Sequence, residues 1–152
     1  MKLTSLIGKE ILDIFVKIEP YDKVENIDLL YAECYFVLTD NLVIGLPFHI
    51  DDNEVWIKEL NPTAKSYFPR KKWWQRKQEP DKIRGYKIKD IIHYPDEMEC
   101  AFIELENGII LTEESVLPVG LAVGLRTFDS IHSLEETHGK NYIRLTNLDV
   151  SL

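Results

Sequence analysis

Apolar and polar positions along this chain follow a period of two far more often than a helical period, which predicts half-buried β-strands. Glu54 to Leu60 (EVWIKEL) alternates almost residue by residue. Ile11 to Ile18, Phe36 to Ile44, Ile88 to Tyr94 and Phe102 to Leu111 are rich in β-branched and aromatic residues, which suit a pleated, half-buried surface. The second and fourth of these runs break at Thr39-Asp40-Asn41 and at Glu106-Asn107-Gly108. Asn and Gly tolerate positive φ, so Asn107-Gly108 predicts a type I′ hairpin. Leu42, standing where the glycine would be, predicts another or longer turn in the first case. Val116 to Leu125 is apolar but broken by Pro118, Gly120 and Gly124, as an edge strand, a bulge or a close backbone approach would be.

Helical signals are few. Phe128 to Gly139 (FDSIHSLEETHG) carries them best: Asp129 or Ser133 to cap its start, Ser133-x-x-Glu136 as a capping box, and Gly139 to end it. Pro69 opens either a short helix reaching about Lys77 or an ordered loop between prolines. Asn141 to Leu148 (NYIRLTNL) predicts a last strand.

Two parts of the chain repeat. Gly8 to Ile14 (GKEILDI) and Gly85 to Ile91 (GYKIKDI) share the pattern G-x-x-I-x-D-I. Glu33 to Ile44 (ECYFVLTDNLVI) aligns with Glu99 to Ile110 (ECAFIELENGII), bringing Phe36 to Phe102 and Cys34 to Cys100. The order is the same in both halves, so residues 8–48 and 85–115 read as two copies of one β-meander. The first copy carries an insertion, placed in the polar, turn-prone stretch Glu19 to Leu29. A surface loop absorbs such an insertion cheaply, because closure entropy grows slowly with length. The expected fold is α+β and mostly β: a bent antiparallel sheet or half-barrel made of two repeated meander units, with one or two short helices. At 152 residues the chain is read as one domain, long enough to bury roughly two-thirds of its unfolded surface without staples.

Composition refines this picture. No apolar run approaches the roughly 18 residues that a membrane helix needs, and the start of the chain carries charge through its apolar part, so neither a span nor a cleaved leader is expected. Cys34 and Cys100 are the only cysteines, which predicts a reducing, cytoplasmic setting and two small buried hydrophobes. Net charge is −8 and unevenly spread. Residues 61–90 hold ten Lys and Arg against three Asp and Glu, a local +7, which leaves −15 on the remainder. Such asymmetry fits an oppositely charged partner or a second copy of the chain in a homodimer, and equally charges that merely solvate exposed faces.

Signals for chemistry are weak. His132 and Glu136 would share a helix face with His138 nearby, but no cysteine or second histidine pair completes a zinc site and H-E-x-x-H is absent. His49 and His93 read as single, hydrogen-bonded structural histidines within apolar strands. There is no G-x-S-x-G and no glycine-rich phosphate loop; Gly120 and Gly124 give only G-x-x-x-G in a strand-like context. The sequence therefore predicts neither an enzyme nor a metal or cofactor site. Arg70, Lys71, Lys72, Trp73, Trp74 and Arg76 form a basic-aromatic segment that could neutralise phosphates and stack on bases. The acidic remainder would repel a polyanion beyond a short footprint, so nucleic-acid binding ranks as the alternative.

The stretch Phe102 to Leu125 (FIELENGIILTEESVLPVGLAVGL), with the following helix and NYIRL, resembles the C-terminal half of small β-rich immunity proteins. Those proteins guard bacteria against polymorphic or contact-dependent growth-inhibition toxins. The likeness covers roughly a third of the chain: an E-x-x-N-G hairpin, an acidic pair, a strand broken by Pro and Gly, and a capped helix. It implies a stoichiometric inhibitor whose partner is a cognate toxin, a nuclease by preference, with no role for a membrane. Acidic side chains would then occupy the places of substrate phosphates and speed association. Asp51, Asp52, Glu54, Asp96, Glu97, Glu113 and Glu114 are the contact candidates this reading selects.

Overall fold

The isoleucines of the repeated motif stand three residues apart, a spacing that would turn them to opposite faces of a regular strand. Yet Ile11 and Ile14, and likewise Ile88 and Ile91, are buried in one common core. A computed structural model, which describes residues 2–24, 27–45, 65–66, 82–95, 101–115 and 123–149, shows how this is achieved. In strand β1 (Ile11–Val24) the pairing slips between Ile11 and Asp13, and in β5 (Ile88–His93) it slips at the matching place, between Ile88 and Asp90. The extra residue of each bulge, Leu12 or Lys89, is turned to solvent. The following aspartate then folds back: Asp13 Oδ1 accepts the Ile14 N–H and Asp90 Oδ1 accepts the Ile91 N–H, both at 2.8 Å. A bulge disrupts the ladder locally, so the motif carries its own acceptor for a nearby backbone donor.

Around these bulges the chain makes the mostly-β α+β fold that its patterning predicts. The first sheet has the order β3-β2-β1-β4, with β2 at Ile27–Leu38, β3 at Leu42–Gly45 and β4 at Lys65–Ser66. The second has the order β8-β7-β6-β5-β9, with β6 at Phe102–Leu105, β7 at Ile110–Ser115, β8 at Val123–Phe128 and β9 at Ile143–Arg144. Every pairing is antiparallel. β1-β2-β3 and β5-β6-β7 are thus two meanders of the same course. Even the two-residue strands correspond, since β4 pairs Phe15 and Val16 while β9 pairs their equivalents Ile92 and His93.

The two copies meet where their motifs cross. Glu10 and Lys87 form an antiparallel bridge. About it, Gly8 N–H donates to Ile88 O and Gly85 N–H to Ile11 O, each at 2.8 Å, while Ile11 N–H reaches Tyr86 O and Ile88 N–H reaches Lys9 O. Each bond has its counterpart under exchange of the copies, so the crossing is a pseudo-two-fold axis. Gly8 and Gly85 both hold φ near +90°, a region that L side chains rarely enter. A Cβ at Gly85 would meet only Glu10 Oε1 at 3.6 Å, so Gly85→Ala tests backbone strain free of clash. It is expected to cost about 1–2 kcal/mol in urea unfolding, the penalty of a left-handed Ala.

The structural register corrects the sequence alignment by one residue. Ile11 and Ile88 pair with Leu38 and Leu105, and Ile14 and Ile91 with Phe36 and Ile103. Phe36 therefore corresponds to Ile103, not Phe102, and the same offset sets Cys34 against Ala101 rather than Cys100. The insertion also lies elsewhere than in a loop: the β1-β2 pairing runs out to Val24 and Ile27, so the extra residues lengthen the hairpin itself. Leu3 and Leu6 of an N-terminal 3-10 turn close one end of the shared core, which also holds Phe36, Leu38, Ile44, Ile103, Leu105 and Leu111.

Both hairpin turns have three residues, and they differ in kind. Leu105 is joined to Ile109 through Glu106-Asn107-Gly108, with Gly108 N–H donating to Leu105 O at 2.9 Å and φ +91° at Gly108 alone. That is a type I turn closed by a glycine bulge rather than type I′. In the first copy Asp40 and Asn41 both take positive φ.

Helix α1 (Ile131–His138) is capped by Ser130, whose Oγ accepts the Ser133 N–H at 3.2 Å, instead of by Asp129 or Ser133, and Gly139 ends it. Ser130→Ala is expected to remove about 1 kcal/mol of stability, read from the urea midpoint. The predicted last strand is confined to β9, after which the chain turns into helix α2 (Leu145–Asp149). Among the described residues no helix is long and apolar enough to cross a membrane. The strand predicted at Glu54 to Leu60 and the helix or loop predicted after Pro69 lie outside the described residues.

Candidate functional site

The second sheet has an outer face as well as a core face. Ile92, Tyr94, Phe102, Ile110 and Phe128 point away from the shared core and pack against Leu134 of α1, with Ile131 and Tyr142 at the margin. His138 sits over this layer, with ring centroids 5.4 Å from Phe102 and 5.8 Å from both Tyr94 and Phe128. Tyr94 donates its hydroxyl to Gly139 O at 2.9 Å, which pins the end of α1 to the residue that follows β5. Arg126 lies 4.7 Å over the Phe128 ring.

At the edge of this face the strands bring charge indoors. Asp90 and Glu104 are directly opposite each other on β5 and β6, and both are buried. Two carboxylates so placed would repel and would pay a large desolvation cost unless paired. Arg144, delivered by β9, bonds Glu104 through its guanidinium. Asp90 accepts three donors: the Ile91 N–H, the Thr146 hydroxyl at 2.6 Å and the Thr146 N–H at 3.3 Å. The last is one of the free N–H groups in the first turn of α2, so Asp90 acts as a remote N-cap, which explains why the chain leaves the strand at Leu145. Burial works against the charge on Arg144. Its hydrogen bond to Glu104, and the charges of Glu104, Tyr142 and Asp90, outweigh that and hold its pKa above the ordinary value.

The first copy has no such cluster in these positions. Asp13 matches Asp90, but Val37 stands for Glu104 and Ser66 for Arg144. Asp13 instead pairs with Arg84, just before the other copy, at 3.3 Å, partly exposed. The long-range pairing of Asp90 and Glu104 with the C-terminal segment was not visible in the sequence. The one signal was the second appearance of the motif aspartate, which marks a required acceptor without naming its partners.

The sequence-selected residues fare unevenly. His132 Nε2 and Glu136 Oε1 form an exposed i,i+4 pair at 2.9 Å, while His138 faces the aromatic layer, so the three do not converge. No group of three metal-ligating side chains occurs among the described residues. His93 has a buried Nδ1 with no hydrogen-bond partner among the described residues, where a bonded histidine was expected; His49 lies outside them. Cys34 falls in β2, and Cys100 lies outside the described residues. So do Asp51, Asp52, Glu54, Asp96 and Glu97, and the whole of Arg70, Lys71, Lys72, Trp73, Trp74 and Arg76. Glu113 and Glu114 lie in β7, paired through the backbone with Leu125 and Gly124 of β8, and their side chains lie outside the described residues. Compared with known proteins, the chain matches no family model, no curated protein and no solved structure.

Proposed function

We propose that the chain is a stoichiometric binding protein, an inhibitor that neutralises a cognate toxin as immunity proteins do, and not a catalyst. One observation carries the reading. The two buried carboxylates among the described residues, Asp90 and Glu104, are occupied by Arg144, Thr146 and a backbone N–H, and hold β9 and α2 in place. The acidic excess behind the net charge of −8 is then available for recognition, and a charged surface steers an oppositely charged partner. The internal two-fold gives the frame its rigidity: two meanders share one core and lock through reciprocal backbone bonds. The acids at Asp51, Asp52, Glu54, Asp96, Glu97, Glu113 and Glu114 are the contact candidates, and the partner surface they fit is basic.

Co-expression with the product of the adjacent gene tests this. The expected result is a 1:1 complex on size exclusion and relief of growth arrest. Asp51→Lys combined with Asp52→Lys should slow association most at low salt. Absence of both complex and protection discards the proposal. Salt-sensitive quenching of tryptophan fluorescence by an oligonucleotide would move the function to the segment around Trp73 and Trp74.

A further inference from the structure

We infer that Asn107 is a site of spontaneous deamidation whose rate is gated by the fold, and that its conversion releases the tie between the second hairpin turn and the segment entering the pseudo-two-fold crossing. The chain has seven asparagines, and only Asn107 is followed by glycine. Glycine has no side chain to hinder attack by its own backbone nitrogen on the preceding carboxamide. Asn107 is also exposed, and a Cβ built at Gly108 meets nothing within 4 Å, so no neighbouring group crowds the turn.

The chemistry needs only water. A solvent base takes the proton from the Gly108 nitrogen, which attacks Asn107 Cγ. The new N–Cγ bond closes a succinimide, the Cγ–Nδ2 bond breaks, and the nitrogen leaves as ammonia after taking up a proton from solvent. Water then opens the ring at either carbonyl, giving aspartate or isoaspartate, with no change of oxidation state.

The folded turn opposes each requirement. Gly108 N–H is committed to Leu105 O at 2.9 Å. The carboxamide is held at both ends: Nδ2 donates to Lys82 O at 2.6 Å, and Oδ1 accepts the Ile109 N–H at 3.2 Å. Attack requires the turn to open, so the rate follows local unfolding of this hairpin. After conversion an acceptor oxygen faces the Lys82 carbonyl where a donor stood, and the bond cannot re-form. The isoaspartate product also adds a carbon to a three-residue loop that fixes Gly108 at its bulge position. In the first copy, whose turn differs in kind, Asp40 stands at the place of Asn107, takes φ +65° and makes no such tie among the described residues.

Lys82 lies three residues before Gly85, whose N–H bonds Ile11 across the copies. Loss of the tie is therefore expected to loosen residues 82–88. The test incubates the full chain at mildly alkaline pH, folded and in urea, with peptide mapping by mass spectrometry. Conversion is expected at Asn107 ahead of the other six asparagines in urea, and about tenfold or more slower there in the folded protein, the protection a modest local opening energy gives. The singly deamidated form, separated by ion exchange, should show faster hydrogen exchange across 82–88 than the parent. Equal rates in folded and unfolded protein would overturn the gating, and lack of preference for Asn107 in urea would overturn the site. Unchanged exchange across 82–88 would overturn the release.

Discussion

Phe102→Ala is expected to destabilise the protein by about 4 kcal/mol, the range for emptying an aromatic site in a closed core. Phe102 is buried to 1% exposure and lies between Tyr94, Phe128 and His138, with the Tyr94 ring edge-on at 5.5 Å. The layer cannot readily collapse into the space, because Tyr94 is fixed by its bond to Gly139 O and the strands by their ladders. Phe102→Leu keeps most of the volume and should cost only about 1 kcal/mol. Urea midpoints at constant m would report both values, and a cost below about 2 kcal/mol for Phe102→Ala would mean that the layer is not closed. Coupling sharpens the test. Phe102 shares a cluster with Leu134, whereas Phe36 lies in the other core. Phe102→Ala with Leu134→Ala should therefore be non-additive, and Phe36→Ala with Leu134→Ala additive.

That distinction also marks how far the sequence could be read. The mostly-β fold, the strands of the two meanders and the helix ending at Gly139 were legible, because alternation and turn chemistry are local signals. The register between the copies was not. Matching like residues brought Phe36 to Phe102, and in a strand a slip of one residue reverses the face. Phe36 in fact belongs with Ile103 in the shared core, and Phe102 with Tyr35 on the outer side. Residue identity rewards similar side chains, while register is set by the bulge at Ile-x-Asp-Ile, which no alignment of identities reveals. The bulge had a trace even so: two isoleucines three apart in a strand fit one core only if a residue between them is pushed out. The insertion misled for a related reason. Glu19 to Leu29 is polar and holds Pro20, yet the chain accommodates it within a longer β1-β2 hairpin, with a second register shift between Pro20 and Asp22. Of the candidate site, Asp90 was visible as a motif residue, whereas its partners 56 residues away were not, since nothing local announces a long-range acceptor. Of the groups chosen for partner contact only the backbone of Glu113 and Glu114, in β7, falls among the described residues, so the case for recognition rests on charge and on the occupied state of the buried acids.

Arg144→Ala should cost about 3 kcal/mol, the low end of the range for removing one member of a buried ion pair, because a quarter of the Arg144 side chain is exposed. The loss comes less from the pair than from what is left behind: Glu104, buried to 4% side-chain exposure, opposite Asp90 with no cation between them. Two further variants separate these contributions. Glu104→Leu with Arg144→Met removes both charges and should recover most of the stability, because a buried pair is often replaceable by apolar groups of similar size. Val37, standing at the place of Glu104 in the first copy, shows that the fold accepts an apolar residue there. Thr146→Val takes only the neutral donor to Asp90 and should cost about 1–2 kcal/mol. The sign of the pH effect follows from the raised pKa of Arg144: its contribution is complete below the ordinary arginine range and fades only as pH rises through the higher folded value. The penalty for Arg144→Ala should therefore hold steady from neutral to mildly alkaline pH. A single-variant loss under about 1 kcal/mol, or a double variant no better than the single one, would show that the Glu104–Arg144 pair does not hold β9, leaving Glu104 free for another role.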